Sequence, residues 1–239
     1  MPDRAALVTG ASSGIGLAIA RMLGQEGYGL TVAARRAEKL ADAVIQLQQE
    51  GIDDIVEVAA DMSSEEDIQR VVQAHRDRYG RLDVLVNNAG VGIGAPVADA
   101  TTKRIDMQID VNLRAIVLFY RETVDLLRAA GAEHRSALVV NTASIAAKRP
   151  EGWLSVYSAT KAAVVGYSAA MNRELNGDGI KSLALCPGFV DTPMTDFVKE
   201  QVKPEEMIQP QDVAEAVRYA LKVSPACVIP EIIFQRPGD

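Results

Sequence analysis

Short apolar runs rich in β-branched residues alternate along this chain with longer amphipathic segments. The short runs predict seven strands, at 5–10, 29–35, 54–60, 82–88, 136–144, 180–188 and 226–234. The amphipathic segments predict helices near 14–26, 37–50, 64–79, 103–130, 155–176 and 210–222. Such alternation is typical of βαβ units on a mostly parallel sheet. The pattern therefore predicts an α/β fold, a doubly wound parallel sheet of about seven strands with helices on both faces.

The chain shows no linker-like tract and no internal repeat over its 239 residues. We therefore expect a single domain spanning 1–239. The least regular part is DTPMTDFVKEQVKPEEMIQP, at 191–210, which is too polar and too rich in proline for a core segment. We expect it to be a lid over a ligand cleft, with a plain surface connection as the alternative.

Composition narrows the class of protein. Hydrophobic residues make up 48% and charged residues 24%, as in ordinary globular domains, and the net charge of −7 disfavours binding to nucleic acid or to an anionic membrane. The chain has no signal-like start and no run long enough to span a membrane, so we expect it in the cytoplasm. Cys186 and Cys227 lack any metal or disulfide spacing, which favours two buried thiols without chemistry and no metal site.

A glycine-rich turn follows the first predicted strand. In LVTGASSGIG, at 7–16, an apolar strand runs into Gly10, Gly14 and Gly16, and helical periodicity begins there. Glycines allow a tight turn and close approach of a pyrophosphate, and the helix start offers free N–H groups to an anion. The turn predicts a Rossmann-type dinucleotide site; the alternative is a glycine-rich turn without a ligand.

Two arginines follow the second predicted strand. About 20 residues past the glycines, an acid suits the ribose 2′-hydroxyl of NAD, whereas an arginine suits the 2′-phosphate of NADP. Here Ala34 stands in the place of the acid, followed by Arg35 and Arg36. The pattern predicts NADP(H) as the cofactor, because a guanidinium can bind a phosphate with two hydrogen bonds. The alternative is that both arginines are solvated or pair with Glu38.

Tyr157 and Lys161 are one turn apart on a predicted helix, so both side chains share one face. A free phenol, with a pKa of about 10, is a poor base at neutral pH. An ammonium about 4 Å away contributes about 4 kcal/mol at an effective dielectric near 20, equivalent to about three pKa units. We therefore expect Lys161 to lower the pKa of Tyr157, although this spacing also arises often by chance.

Further motifs accompany this pair in a fixed order. They are TGASSGIG (9–16), NNAG (87–90), VNL (111–113), Ser144 with YSATK (157–161), and PGFVDT (187–192). With them the chain resembles the short-chain dehydrogenase/reductase family along nearly its whole length. The resemblance implies an NADP(H)-dependent oxidoreductase that moves a hydride between nicotinamide and a carbonyl compound or secondary alcohol.

The resemblance also implies a catalytic tetrad. Ser144 would polarise the substrate carbonyl, Tyr157 would exchange a proton with its oxygen, and Lys161 would assist the phenol and bond the nicotinamide ribose. Asn112 would hold a water that relays protons to the lysine. In the family, further cofactor contacts correspond to Gly10, Ser12, Ser13, Gly14, Ile15, Gly16, Arg35, Arg36, Asp61, Met62, Asn88, Ala89, Gly90, Tyr157, Lys161, Pro187, Gly188, Val190 and Thr192.

The substrate is less well defined. The ending SPACVIPEIIFQRPGD resembles a branch with 3-hydroxy acid and serine dehydrogenases and aldehyde reductases more than it resembles the ketoacyl-carrier-protein reductases. A ketoacyl reductase, a non-catalytic NADP-binding regulator, and an epimerase or dehydratase-like enzyme remain alternatives. Two alternatives are open for Trp153 and Arg149: they meet a ring or a carboxylate of the substrate, or they are simply loop packing and a solvated charge. As in the family, a homodimer or homotetramer is expected, with the helices at 110–127 and 158–171 burying a face against a partner subunit.

Overall fold

Seven strands pair into one sheet in a computed structural model that describes residues 2–237. The strands are β1 Ala5–Thr9, β2 Gly29–Ala34, β3 Ile55–Ala59, β4 Val84–Asn87, β5 Ala137–Thr142, β6 Ile180–Pro187 and β7 Glu231–Phe234. Their order is β3-β2-β1-β4-β5-β6-β7, and every neighbouring pair is parallel. Met1, Gly238 and Asp239, which belong to the expected domain of 1–239, lie outside the described residues.

Helices cover both faces of this sheet. They are α1 Gly14–Gln25, α2 Ala37–Gln49, α3 Glu65–Tyr79, α4 Thr102–Ile109, α5 Ala115–His134, α6 Ser155–Leu175 and α7 Pro210–Lys222. The apolar sides of α1, α2 and α7 form one core with the sheet, and those of α3, α5 and α6 form a second core on the opposite face. The predicted Rossmann-type doubly wound α/β fold is confirmed.

Two predicted elements differ from those observed. The predicted helix at 103–130 is three pieces, because a π-helical turn, Asp110–Arg114, separates α4 from α5. The last strand begins at Glu231 instead of 226, since Pro230 has no N–H to donate to a ladder and only its carbonyl accepts, from Ala184. Within the stretch before Pro230, Cys227 is exposed, so the expected burial is wrong for Cys227 and right for Cys186.

The order of the strands reverses at β1. Successive connections run outward through β2 and β3, and then return to place β4 on the other side of β1. The carboxyl ends of β1 and β4 therefore border a crevice, which in open α/β sheets is the usual position of a ligand. The Thr9 hydroxyl accepts hydrogen bonds from the Asn88 and Ala89 N–H groups at 3.0 Å and so joins the two strand ends.

The segment 191–210 is closed at its base. Val190 and Ile208 form a parallel bridge, in which the Ile208 N–H donates to the Phe189 carbonyl at 3.0 Å and the Asp191 N–H to the Ile208 carbonyl at 2.9 Å. Two short 3₁₀ helices, Pro193–Val198 and Pro204–Glu206, lie between these ends. The segment is thus a loop with a fixed base and an exposed tip. Within residues 2–237, none of the helices combines the length and apolarity that crossing a membrane requires.

Candidate active site

The glycine turn lies at the carboxyl end of β1. Gly10 and Gly14 have φ angles of +65° and +56°, a region that residues with a side chain rarely adopt. At the start of α1 the preceding residue, Ser13, is extended and its side chain makes no cap, and the first turn carries no acidic residue. The first N–H groups of α1 are therefore free of a side-chain partner and suit an anion such as a pyrophosphate.

Close packing leaves no room for side chains in this turn. A Cβ at Gly10 would lie 2.9 Å from the Ala89 Cα, and a Cβ at Gly16 would overlap the Gly10 carbonyl. Asn88 holds the turn in place by donating to the carbonyls of Thr9 and Gly10 at 3.3 Å, while its own carbonyl accepts from Thr142. The amide of Asn88 thus braces the cradle.

The second strand ends in the predicted arginine pair. Ala34 is buried at 6% exposure, whereas Arg35 and Arg36 are both exposed. Neither arginine forms an ion pair with any carboxylate in the described part of the chain, and the proposed pairing with Glu38 does not occur. The two guanidinium groups are available to an anionic ligand.

The next strand leads to two of the predicted cofactor residues. Asp61 and Met62 lie two and three residues beyond the end of β3, at the same edge of the sheet as the glycine turn. The carboxylate of Asp61 accepts from the N–H and hydroxyl groups of Ser63 at 2.9 Å, which fixes the turn into α3. Met62 is 6% exposed, so most of its side chain packs within the protein and little of it is available to a ligand.

Ser144 and Tyr157 meet beside the carboxyl end of β5. Ser144 lies two residues beyond the strand and begins a 3₁₀ turn, where its hydroxyl accepts from the Ala146 N–H at 3.1 Å. Its hydroxyl also hydrogen-bonds Tyr157. One oxygen of a substrate can therefore contact both hydroxyl groups at once, the serine as a donor and the tyrosine as a proton donor or acceptor.

Lys161 lies beneath this pair. Its ammonium donates to the Thr142 carbonyl at 2.7 Å and lies 5.7 Å from the centre of the Tyr157 ring. A Cβ at Gly90 would lie 3.4 Å from the Lys161 nitrogen, so the loop after β4 packs directly against the ammonium group. Lys161 is 3% exposed, and its burial lowers the pKa of the ammonium to about 8.

Asn112 lies within the π-helical turn. Its side-chain amide makes three hydrogen bonds: it accepts from the Val91 N–H at 2.8 Å and donates to the Val91 carbonyl at 2.9 Å and to the Thr160 hydroxyl at 3.2 Å. Thr160 in turn donates to the Tyr157 carbonyl at 2.8 Å. Asn112 therefore ties the loop after β4 to the turn of α6 that carries Tyr157 and Lys161, and π-helical turns often occur at functional sites.

The pKa of Tyr157 shifts in the direction opposite to the expected one. Burial raises it, and the hydrogen bond with Ser144 lowers it by a smaller amount. The expectation that Lys161 lowers the phenol pKa in the protein alone was wrong, because the ammonium is directed at the Thr142 carbonyl and its own charge is disfavoured by burial.

The PGFVDT motif leads from β6 into the 191–210 segment. Pro187 ends the strand, the Gly188 N–H donates to the Phe234 carbonyl at 3.0 Å, and Val190 begins the bridge at the base of the loop. Thr192 reaches across to the glycine turn, where its methyl group would lie 2.8 Å from a Cβ at Gly14. The remaining predicted contacts, Ser12 and Ile15, are half-buried in that turn.

The structure brings the four tetrad residues into one cluster and reveals three participants that the sequence pattern did not indicate. These are Thr142 and Val91, which contribute backbone groups, and Thr160, which couples Asn112 to α6. No spacing could mark a backbone carbonyl as a lysine partner. Thr160 does carry a signal, since it directly precedes Lys161 on the buried side of α6.

Two sequence comparisons identify the class of this protein. A family model described as short chain dehydrogenase matches residues 4–203. An uncharacterized oxidoreductase of Staphylococcus aureus is 34% identical over 221 residues, which make up 92% of this chain and 92% of that protein. The chain belongs to the short chain dehydrogenase family, a family of oxidoreductases.

Solved structures agree with this assignment. The 3-ketoacyl-(acyl-carrier-protein) reductase of Brucella melitensis, complexed with NADH, superposes with a TM-score of 0.88 at 28% identity, covering 99% of this chain and 98% of that one. The F189W actinorhodin polyketide ketoreductase, with NADPH, superposes with a TM-score of 0.86 at 35% identity, covering 97% and 94%.

Proposed function

We propose that this protein is an NADP(H)-dependent oxidoreductase that reduces a ketone or aldehyde, or oxidises a secondary alcohol. The observation that carries the proposal is the convergence of Ser144, Tyr157 and Lys161 beside a glycine turn whose helix N-terminus has no side-chain cap. A protein that only bound nucleotide would have no need of a serine and a tyrosine placed to share one oxygen. This favours an enzyme over a cofactor-binding regulator.

The residues present fit the cofactor. The glycine turn would hold the pyrophosphate, Arg35 and Arg36 the 2′-phosphate, and Val190 with Thr192 the carboxamide. When bound, NADP(H) supplies or accepts the hydride. During reduction Ser144 polarises the carbonyl, Tyr157 gives its proton to the developing alkoxide, and Lys161 and Asn112 serve the return of a proton to the tyrosine.

NADP(H) is favoured over NAD(H) because no carboxylate ends β2 and two exposed arginines follow it. The ketoreductase with NADPH supports this choice, although the Brucella reductase was crystallised with NADH. Both of these neighbours are named for ketoacyl or polyketide substrates, which supports the ketoacyl alternative at least as well as a 3-hydroxy acid. The segment 191–210 serves as a lid, because its base is fixed while its tip is exposed.

A second copy of the chain is the expected partner. On α6, Ala159, Ala162 and Gly166 lie on one exposed side, and on α5 Val117 is 38% exposed. These helices leave small and apolar residues on the surface, a composition suited to close helix packing between subunits in a homodimer or homotetramer. Sedimentation equilibrium tests this part of the proposal.

Replacing Tyr157 with Phe tests the reaction. We expect kcat for NADPH-dependent ketone reduction to fall by about 10²–10⁴-fold, because the proton donor is lost, while the Kd for NADPH stays within about 2-fold. Stopped-flow hydride transfer and fluorescence titration of NADPH measure the two quantities. Retained turnover in Tyr157→Phe would overturn the assignment.

A further inference from the structure

Two large apolar rings lie exposed at the outer end of the cleft. Trp153, just before α6, is 45% exposed, and Phe197, in the 191–210 segment, is 60% exposed. Their ring centres are 6.0 Å apart in an edge-to-face arrangement, and Met194 adds a third side chain that is 50% exposed. A group of exposed large apolar side chains on two neighbouring segments is typical of a ligand-binding or interaction surface.

This pair is connected to the catalytic tyrosine through the loop after β4. At Gly92 a Cβ would lie 3.6 Å from the Tyr157 ring, and at Gly94 a Cβ would overlap the ring of Trp153. Gly92 and Gly94 lie at most about 7 Å apart, so one short stretch of the loop lies against both the Tyr157 ring and the Trp153 ring. The Ala95 N–H donates to the Trp153 carbonyl at 2.8 Å and holds the tryptophan against the loop.

Three of the four basic side chains on the segments that carry these rings are engaged elsewhere. Lys148 pairs with Glu231 at 2.7 Å, and Lys199 pairs with Asp191 and Asp196 at 2.9 and 2.8 Å. With its amide turned to satisfy its hydrogen bonds, Gln235 accepts from both terminal nitrogens of Arg149, at 3.0 and 2.9 Å. A substrate carboxylate would therefore have to break an existing contact to gain any of these three cations. The fourth, Lys203, is exposed at the far end of the 191–210 segment and forms no ion pair within residues 2–237.

We propose that Trp153 and Phe197 form the subsite for a flat apolar group of the substrate, so that the preferred carbonyl compounds are aromatic or fused-ring ketones and not short keto acids. The inference rests on the proposed function, since it concerns the substrate of the same site. Gly94 is a positioning residue in this subsite, because only a residue without Cβ lets the Trp153 ring lie against the loop.

Steady-state kinetics with NADPH and two ketones test the subsite: β-tetralone carries a fused aromatic ring, and acetoacetate carries a carboxylate. We expect kcat/KM for β-tetralone to exceed that for acetoacetate by about 10-fold or more. Trp153→Ala and Phe197→Ala should each lower kcat/KM for β-tetralone about 10-fold, mainly through KM, with acetoacetate and the Kd for NADPH within about 2-fold. Gly94→Ala should reproduce the loss by displacing the Trp153 ring.

Two matched variants serve as controls. Val97, 81% exposed beyond the same loop, and Tyr219, 63% exposed on α7, are also large and apolar at the surface, and replacing either with Ala should leave both ketones unaffected. The subsite would be overturned if the wild type preferred acetoacetate, or if Trp153→Ala left kcat/KM for β-tetralone unchanged. Either result would still be compatible with the proposed reductase function. NADPH binding without oxidation by any carbonyl compound would instead overturn the proposed function itself.

Discussion

The two sides of the cleft are built differently. On the side of β1 and α1, the close contacts of Gly10 and Gly16 are with backbone atoms and with the half-buried side-chain amide of Asn88. On the opposite side, Gly94 contacts a tryptophan ring, and that ring contacts a phenylalanine on a loop with an exposed tip. The first side is a backbone cradle, whereas the second is an arrangement of exposed side chains.

This difference indicates which side tolerates change. A backbone contact cannot yield without moving a strand, so a substitution there affects the fold as well as the ligand. An exposed side chain can rotate, so a substitution at Trp153 or Phe197 is expected to change ligand binding and to leave the stability of the fold unchanged. We therefore expect the first side to bind the cofactor and the second side to determine which substrate is accepted.

The largest effect is expected for Gly16→Ala. Its Cβ would overlap the Gly10 carbonyl and lie 2.5 Å from the Asn88 amide nitrogen, and neither group is free to move. We expect a loss of about 3 kcal/mol in the free energy of unfolding, or roughly 9 °C in Tm, together with weaker NADPH binding. Gly152→Ala is the matched control, since no atom of residues 2–237, apart from the glycine's own neighbours along the chain, lies within 4 Å of the added Cβ, and its free energy of unfolding should stay within about 0.5 kcal/mol of the wild type. Equal stability of the two variants in thermal unfolding would contradict the comparison.

A smaller effect concerns the buried charge between the two sides. Burial lowers the pKa of Lys161 from 10.5 to about 8, so the unfolded chain binds more protons between these values and the stability of the wild type rises with pH in that window. Below pH 8 the folded wild type carries a buried charge, and Lys161→Met removes the free-energy cost of that charge. We expect the free energy of unfolding of Lys161→Met, relative to the wild type, to fall by about 2 kcal/mol between pH 7 and pH 10.

Urea unfolding of both proteins at several pH values, without cofactor, measures this change. Lys103→Met, which alters an exposed lysine on α4, should show a difference from the wild type that does not vary with pH. A constant difference for Lys161→Met as well would show that the lysine is not buried in the folded protein as described.

The smallest effect is expected at the outer rim of the cradle. Arg35→Ala should weaken NADPH binding about 10-fold and NADH binding by less than about 2-fold, because a charge-assisted hydrogen bond to the 2′-phosphate is lost. Lys39→Ala, which removes a nearby exposed charge on α2, is the control. Equal losses for both nucleotides in fluorescence titrations would remove the phosphate role from Arg35.

The alternation of apolar runs was sufficient to predict the sheet, because buried parallel strands are apolar on both faces and each helix shows its own period. It failed at β7, where the apolar run at 226–229 is interrupted by Pro230 before pairing begins. It also could not separate α4 from α5, because a π-helical turn changes the hydrogen-bond partner and leaves the apolar content unchanged.

For the site, the glycines and the Ser144, Tyr157 and Lys161 arrangement could be predicted, because their chemistry depends on residue type at a fixed spacing. The Thr142 carbonyl could not, since every residue has one and only the fold selects it. The expected lowering of the Tyr157 pKa was wrong for a related reason. A lowered pKa requires an ammonium directed at the phenol, and the direction of a buried lysine depends on which acceptors surround it.

The π-helical turn at Asp110–Arg114 also constrains the number of residues between α4 and α5. Successive residues of an α-helix are rotated by about 100° about its axis, so one additional residue sets the phase of everything that follows. That extra residue lets α4 face the loop after β4 while α5 presents its apolar side to the sheet. Deleting a single residue here would rotate α5 as a whole, so the spacing between Gln108 and Phe119 is itself under constraint, whichever residues fill it.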